Sequence, residues 1–315
     1  MTLDPQVETV LGLIEQAGYP EFCELSPEDA RALFDATVPK LDIRPESVFR
    51  WEERRIPGPG GEIPVRIYTP VEPAADAPLP VLVYFHGGGF VIGSLDSYDA
   101  LCRAIANRAG CIVVSVDYRL APEAKFPAAA EDCLAALDWV HDHADEIDAD
   151  PTRIAVGGDS AGGNLAAVTA LQARDRGGPA LRLQLLIYPV LAGEPESESH
   201  HAFAEGLLLT RRNLLWFYDH YLNGPADRTD PRFAPLAADD LSALPETLLI
   251  VAGYDPLRDE GLAYGERLQA AGVTTEVSNY AGMVHGFVSM ADAVDKGLEA
   301  IGQCAGALRR AFGTG

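Results

Sequence analysis

Ser160 is the residue on which chemistry can be built. It lies within Gly158-Asp159-Ser160-Ala161-Gly162, which fits the pattern G-x-S-x-G; an apolar β-branched run precedes it and an alanine-rich run follows. A strand that reverses directly into a helix crowds the backbone two residues either side of the turn. Glycine at those positions has no Cβ to clash. The spacing therefore predicts a strand, a sharp turn and a helix, with the serine hydroxyl lifted to the end of a sheet. That hydroxyl is a poor nucleophile until an imidazole takes its proton, so a histidine must stand nearby.

Seven histidines are available. His141 and His143 fall at an acidic helix end, His200 and His201 in an acidic, serine-rich loop, and His220 on a helix between strands. His86 precedes three glycines. Only His285, in Gly282-Met283-Val284-His285-Gly286-Phe287, follows the last predicted strand in a glycine-flanked loop, as a base in the chain order serine, acid, histidine requires. The acid should then lie between Ser160 and His285 at a strand end. Asp255 is the first carboxylate after the apolar run Thr247–Gly253. Asp259 and Glu260 are explained as the acidic first turn of the following helix. A carboxylate at 255 would hold His285 in one tautomer and stabilise its imidazolium.

Acyl chemistry at a serine also needs donors for an oxyanion. His86-Gly87-Gly88-Gly89-Phe90 follows the apolar run Pro80–Phe85, and consecutive glycines let backbone N–H groups approach a substrate oxygen. Gly87, Gly88 and Gly89 are the candidates, with the Ala161 N–H as the second source. His86 is expected to orient this loop by hydrogen bonding, and Asp159 to support the elbow. Arg119 and Glu123 read as a structural ion pair or a brace for a turn.

These groups need a scaffold to place them. Short apolar runs at 80–85, 111–116, 153–156, 181–188 and 247–252 alternate with helical patterns. Their continuous hydrophobicity marks strands covered on both faces, hence a mainly parallel sheet between helices. An alternating pair, 47–56 and 62–69, predicts an antiparallel hairpin at a sheet edge. A proline- and alanine-rich connector follows over Pro70–Leu79. A weaker strand is expected at 274–280 and a last helix at 294–312. Residues 1–45 form amphipathic helices, one capped by Ser26 with Pro27 at its first position. The stretch 190–225 has no strand pattern and carries an apolar helix from Arg211 to Leu222. The expected organisation is N-terminal cap helices over 1–45, a core over 46–189 and 226–315, and a cap insertion over 190–225.

The pocket is less legible. Phe203, Leu207, Leu208 and Phe217 in the insertion either line an acyl pocket or only pack the cap. Tyr188, at a strand end, and Met283, Val284 and Phe287, flanking the base, are the other candidates for its wall. A net charge of −23 repels phosphates, so no nucleic acid and no anionic membrane surface is expected as partner. No run approaches a membrane span. The five cysteines lack C-x-x-C spacing and read as reduced. With no leader-like start, a cytoplasmic location is expected.

Together, His86-Gly87-Gly88-Gly89-Phe90, Asp117-Tyr118-Arg119-Leu120-Ala121-Pro122-Glu123, Gly158–Leu165, Asp255-Pro256-Leu257-Arg258-Asp259 and His285-Gly286-Phe287 resemble the hormone-sensitive-lipase-like family of bacterial carboxylesterases and lipases. The resemblance implies an α/β-hydrolase fold with a helical cap. It also implies a triad of Ser160, Asp255 and His285, with an oxyanion hole from the glycines after His86 and from Ala161. The substrate it implies is a small ester with a short to medium acyl chain, hydrolysed without metal or organic cofactor. A homodimer is left open. A non-catalytic small-molecule receptor and an amide or lactone hydrolase are the alternatives; the retained His285 argues against the receptor.

Overall fold

The computed structural model describes residues 2–74 and 77–315; Met1, and Ala75 and Asp76 of the Pro70–Leu79 connector, lie outside the described residues. The chain opens with α1 (Pro5–Ala17) and α2 (Pro27–Thr37), each started by a side chain that accepts from an otherwise unpaired amide. Asp4 Oδ1 accepts from the Gln6 N–H at 2.8 Å, and Ser26 Oγ from the Asp29 N–H at 3.1 Å, the cap expected of Ser26.

Strands β1 (Arg50–Gly58) and β2 (Gly61–Thr69) form the expected hairpin, but pairing continues to Gly58 opposite Gly61. Only Pro59 and Gly60 remain as the turn: a Cβ on Gly58 would run into the Ile63 side chain, and Gly61 takes φ 132°, which a side chain would strain. The remaining strands are β3 (Leu79–Phe85), β4 (Ile112–Val116), β5 (Ala149–Asp159), β6 (Leu181–Ile187), β7 (Glu246–Tyr254) and β8 (Thr275–Val284). Among the described residues they make one eight-stranded sheet in the order β1-β2-β4-β3-β5-β6-β7-β8. From β4 onward all pairings are parallel; β2 joins β4 antiparallel.

Helices cover both faces: α3 (Asp99–Ala109), α4 (Ala128–Asp142), α5 (Ala161–Asp175), α8 (Arg258–Ala270) and α9 (Asp295–Phe312), while α6 (Glu198–Ala202) and α7 (Arg211–Tyr221) lie in the stretch between β6 and β7. Successive residues of a strand point to opposite faces. Val81, Val83 and Phe85 of β3 accordingly enter one cluster with α4, α5 and α8, while Leu82 and Tyr84 enter the other with α3 and α9. That double burial is why the strands read as continuous apolar runs.

After β3 the chain crosses to β4 on one side and returns through β5 on the other. The loops at the C-terminal ends of β3 and β5 therefore diverge and leave a crevice. The glycine loop and the serine elbow stand at those two ends. No strand interrupts the chain between β6 and β7 among the described residues. There α7 meets the N-terminal segment through three hydrogen bonds among the described residues: Cys23 N–H to Asn213 Oδ1 at 3.0 Å, Thr210 Oγ1 to Glu21 Oε2 at 3.0 Å and the Arg212 guanidinium to Glu21 Oε1 at 3.4 Å.

Candidate active site

Ser160 sits at φ 54°, ψ −118°, a conformation that costs a residue with a Cβ on the order of 1–3 kcal/mol. The elbow is tight enough to demand its glycines. A Cβ on Gly158 would lie 2.5 Å from the Gly162 carbonyl carbon, and one on Gly162 would drive into the Phe85 carbonyl oxygen. Neighbouring backbone holds the turn in place. The Ser160 N–H donates to the Ile187 carbonyl at 2.8 Å, and the Val190 N–H donates to the Ser160 carbonyl at 3.2 Å. Asn164, fully buried, donates through Nδ2 to the carbonyls of Val190 and Phe233 at 2.8 and 2.6 Å and ties α5 to the same segment.

His285 follows β8 directly, and its Nε2 lies 2.9 Å from Ser160 Oγ. Its Nδ1 lies 2.8 Å from Asp255 Oδ2. Since a carboxylate only accepts, Nδ1 carries the hydrogen and Nε2 is left to accept the serine proton. Asp255 is buried after β7, and its other oxygen accepts from the Leu257 N–H at 2.9 Å. Tyr188 packs against the imidazole with ring centroids 4.7 Å apart, and it too has a positive φ, 34°.

The glycine loop corrects one expectation. The Gly87 N–H is occupied, donating to Asp159 Oδ1 at 3.0 Å, so Gly87 cannot serve an oxyanion. Gly88 (φ 108°) and Gly89 (φ 58°) line the crevice instead, and their N–H groups have no partner among the described residues. The Ala161 N–H heads α5, where the first amides lack intrahelical acceptors and the helix dipole favours negative charge. Asp159 supports the loop as well as the elbow: it also accepts from Tyr84 and Tyr98 hydroxyls at 2.8 and 3.0 Å. Burial pushes its carboxyl up, and those donors offset part of the shift. His86 orients the loop as expected. Burial lowers its pKa to about 4, so it is neutral, and Nδ1–H donates to the Gly87 carbonyl at 2.7 Å.

Arg119 and Glu123 do not pair with each other. Arg119 clasps the fully buried Asp132 of α4 at 2.8 Å, while Glu123 takes Arg31 of α2 at 2.7 Å. Both brace turns, with partners 13 and 92 positions away.

A cavity of about 550 Å³ opens onto Ser160 and His285. Leu207, Leu208, Phe217 and Tyr188 line it as the sequence suggested. Four other candidates do not. Phe203 turns away toward the acid loop, its ring 5.4 Å from that of Tyr254 and 5.1 Å from the Arg258 guanidinium. Met283, Val284 and Phe287 are buried in the core behind the base, Phe287 packing on Tyr188 and Tyr280. The base loop contributes Gly286, Ser289 and Met290 to the wall instead. The N-terminal helices supply a lining that no motif marked, with Val10, Ile14, Phe22 and Phe34 among it. Their helical spacing was visible; which face met the cavity was not.

Fold and site together define a class: an α/β hydrolase with its serine on a nucleophile elbow. Comparison with known proteins takes this further. The model of a family with the alpha/beta hydrolase fold matches residues 82–289. Carboxylic ester hydrolase LipN of Mycobacterium tuberculosis is 48% identical over 241 residues, 75% of this chain and 63% of that protein. Esterase LipI of the same organism is 46% identical, over 86% of this chain and 85% of that protein. The solved structure of an ester hydrolase from the metagenome of Lake Arreo superposes with a TM-score of 0.96 at 42% identity, covering 99% of this chain and 100% of that one. The chain belongs to the hormone-sensitive-lipase-like family of α/β hydrolases. It is a carboxylic ester hydrolase. No helix among the described residues is long and apolar enough to cross a membrane.

Proposed function

We propose that Ser160, His285 and Asp255 are the triad of this hydrolase, and that Gly88, Gly89 and Ala161 donate to the oxyanion. The continuous pair of hydrogen bonds from Ser160 Oγ through the imidazole to Asp255 carries the reading. Ser160 attacks the ester carbonyl as His285 Nε2 takes its proton. Charge then develops on the carbonyl oxygen beside the free amides at the β3 and β5 ends. His285, held protonated by Asp255, delivers the proton to the departing alcohol. Water enters by the same route and releases the acid.

Residues 1–45 and 190–225 act as the cap over a core of 46–189 and 226–315, and the cap chooses the ester. The apolar wall from α1, α2 and α7 suits a neutral acyl chain, and about 550 Å³ suits one of short to medium length. A panel of p-nitrophenyl acetate, butyrate, hexanoate and palmitate, with Ser160→Ala as the blank, tests this. Best turnover on butyrate or hexanoate is expected; best turnover on palmitate overturns the chain-length reading. A phosphonate ester should label Ser160, located by peptide mass spectrometry; label elsewhere would refute the triad.

A further inference from the structure

The carboxylate that orients a catalytic imidazole must itself be held still. Within its own turn, Asp255 is shaped by the Leu257 N–H on Oδ1 and by the Arg258 N–H on its carbonyl, at 2.9 and 3.1 Å. Both bonds are local: they define the turn but do not anchor it.

The anchor comes from α6, in the stretch that reads in sequence as an acidic, serine-rich loop. Ser199 is fully buried. Its Oγ donates to the Pro256 carbonyl at 2.6 Å and accepts from the Asp259 N–H at 3.2 Å, while its own N–H donates to Asp259 Oδ2 at 2.8 Å. One side chain thus grips both sides of the acid turn, beginning at the residue next to Asp255. Further contacts run alongside. His200 Nδ1 accepts from the Ser197 N–H at 3.3 Å, leaving Nε2–H to face Glu260 Oε2 at 3.3 Å. Glu260 Oε1 accepts from the Leu191 N–H at 2.6 Å. Phe203 closes the far side against Tyr254 and Arg258.

We infer that Ser199 is a positioning residue for the triad acid: through the Pro256 carbonyl and Asp259 it fixes the turn that aims Asp255 at His285. The inference rests on the triad proposed above. Removing the hydroxyl leaves the buried Pro256 carbonyl and the half-buried Asp259 amide without this partner, and the turn relaxes to satisfy them. Asp255 then stabilises the His285 imidazolium less well. A serine that merely stapled the cap in place would act on substrate binding alone.

The full-length Ser199→Ala protein separates the two roles. We expect kcat on p-nitrophenyl butyrate to fall about tenfold, inside the roughly 100-fold that a displaced catalytic group can cost, with KM close to wild type. The acid limb of kcat/KM should move to lower pH, because a less stabilised imidazolium loses its proton sooner. The downfield proton NMR resonance of the His285 Nδ1–H should broaden or shift upfield. Phe203→Leu, at a half-buried position, should shift the limb the same way but less, and it decides the matter if Ser199→Ala does not fold. An unmoved acid limb and resonance, or a raised KM with kcat intact, overturns the role of Ser199. A wild type lacking the resonance, or an Asp255→Asn protein with full activity, overturns the triad itself.

Discussion

Ser160 Oγ and His285 Nε2 stand 2.9 Å apart although 125 residues of chain separate them. Four parallel strands, β5 through β8, span that separation and bring the two C-terminal loops to one end of the sheet. Because Nδ1–H is committed to Asp255, the lone pair on Nε2 faces the serine without any rearrangement. Replacing Asp255 by Asn puts an amide donor where the imidazole needs an acceptor and favours the wrong tautomer. The expected loss in kcat on p-nitrophenyl butyrate is about 10⁴-fold, with the fold intact by circular dichroism. A loss under tenfold would contradict the assignment.

Gly89 has φ 58°, and a Cβ there would run into the Phe217 ring, which α7 lays over the glycine loop. Gly89→Ala should therefore displace the proposed oxyanion donor and cost about 100-fold in kcat. Adding Phe217→Ala relieves the clash and should return part of that loss, leaving the remainder to the backbone conformation. Steady-state kinetics on the two single variants and the double variant measure the coupling. Strict additivity of the losses would show that the ring and the loop do not meet.

Asp159 accepts three hydrogen bonds in the core, from Tyr84, Tyr98 and the Gly87 N–H. Asp159→Ala would leave all three donors buried without a partner, at about 1–3 kcal/mol each before relaxation. The urea midpoint should drop sharply, and kcat with it, since Gly87 fixes the start of the glycine loop. Asp159→Asn keeps acceptor oxygen at one position only, so an intermediate loss is expected. Equal urea midpoints for Asn and Ala would mean that the hydrogen bonds do not set the effect.

Asp42 makes pH dependence legible. It is 5% exposed and, among the described residues, accepts only the Ile43 N–H, at 2.8 Å. Burial, with Asp159 and Asp292 nearby, pushes its carboxyl up to about 7. The folded protein then binds this proton more tightly than the unfolded chain, whose aspartate titrates near 4. Between about pH 4 and 7 the folded state holds more protons, so this group makes stability fall as pH rises. Asp42→Asn keeps the acceptor and removes the charge. Its urea midpoint should gain on wild type between pH 5 and pH 8; a constant difference would refute the shift.

Much of the site was legible because its residues answer to local sterics and local chain order. Gly158 and Gly162 are required by atoms within the elbow and the adjoining strand, so their spacing announced the turn. The continuous apolar strands likewise announced a doubly covered sheet. The pocket was not legible in this way. Phe203 and Phe217 are both aromatic residues of one insertion, yet one faces the acid turn and the other the cavity.

The division has a physical cause. By itself the sequence determined the elbow, the glycine loop and the strands that end beneath them, since each depends on residues a few positions apart, and the chain order of serine, acid and base followed from which strand each one ends. Only the tertiary structure decided that Gly87 serves Asp159 rather than the substrate, that Ser199 grips the acid turn, and that α1 and α2 wall the cavity. Those outcomes depend on which amide is already hydrogen-bonded and which helix face is already covered. Both are settled by packing between segments tens to hundreds of residues apart, and periodicity along the chain carries no record of it.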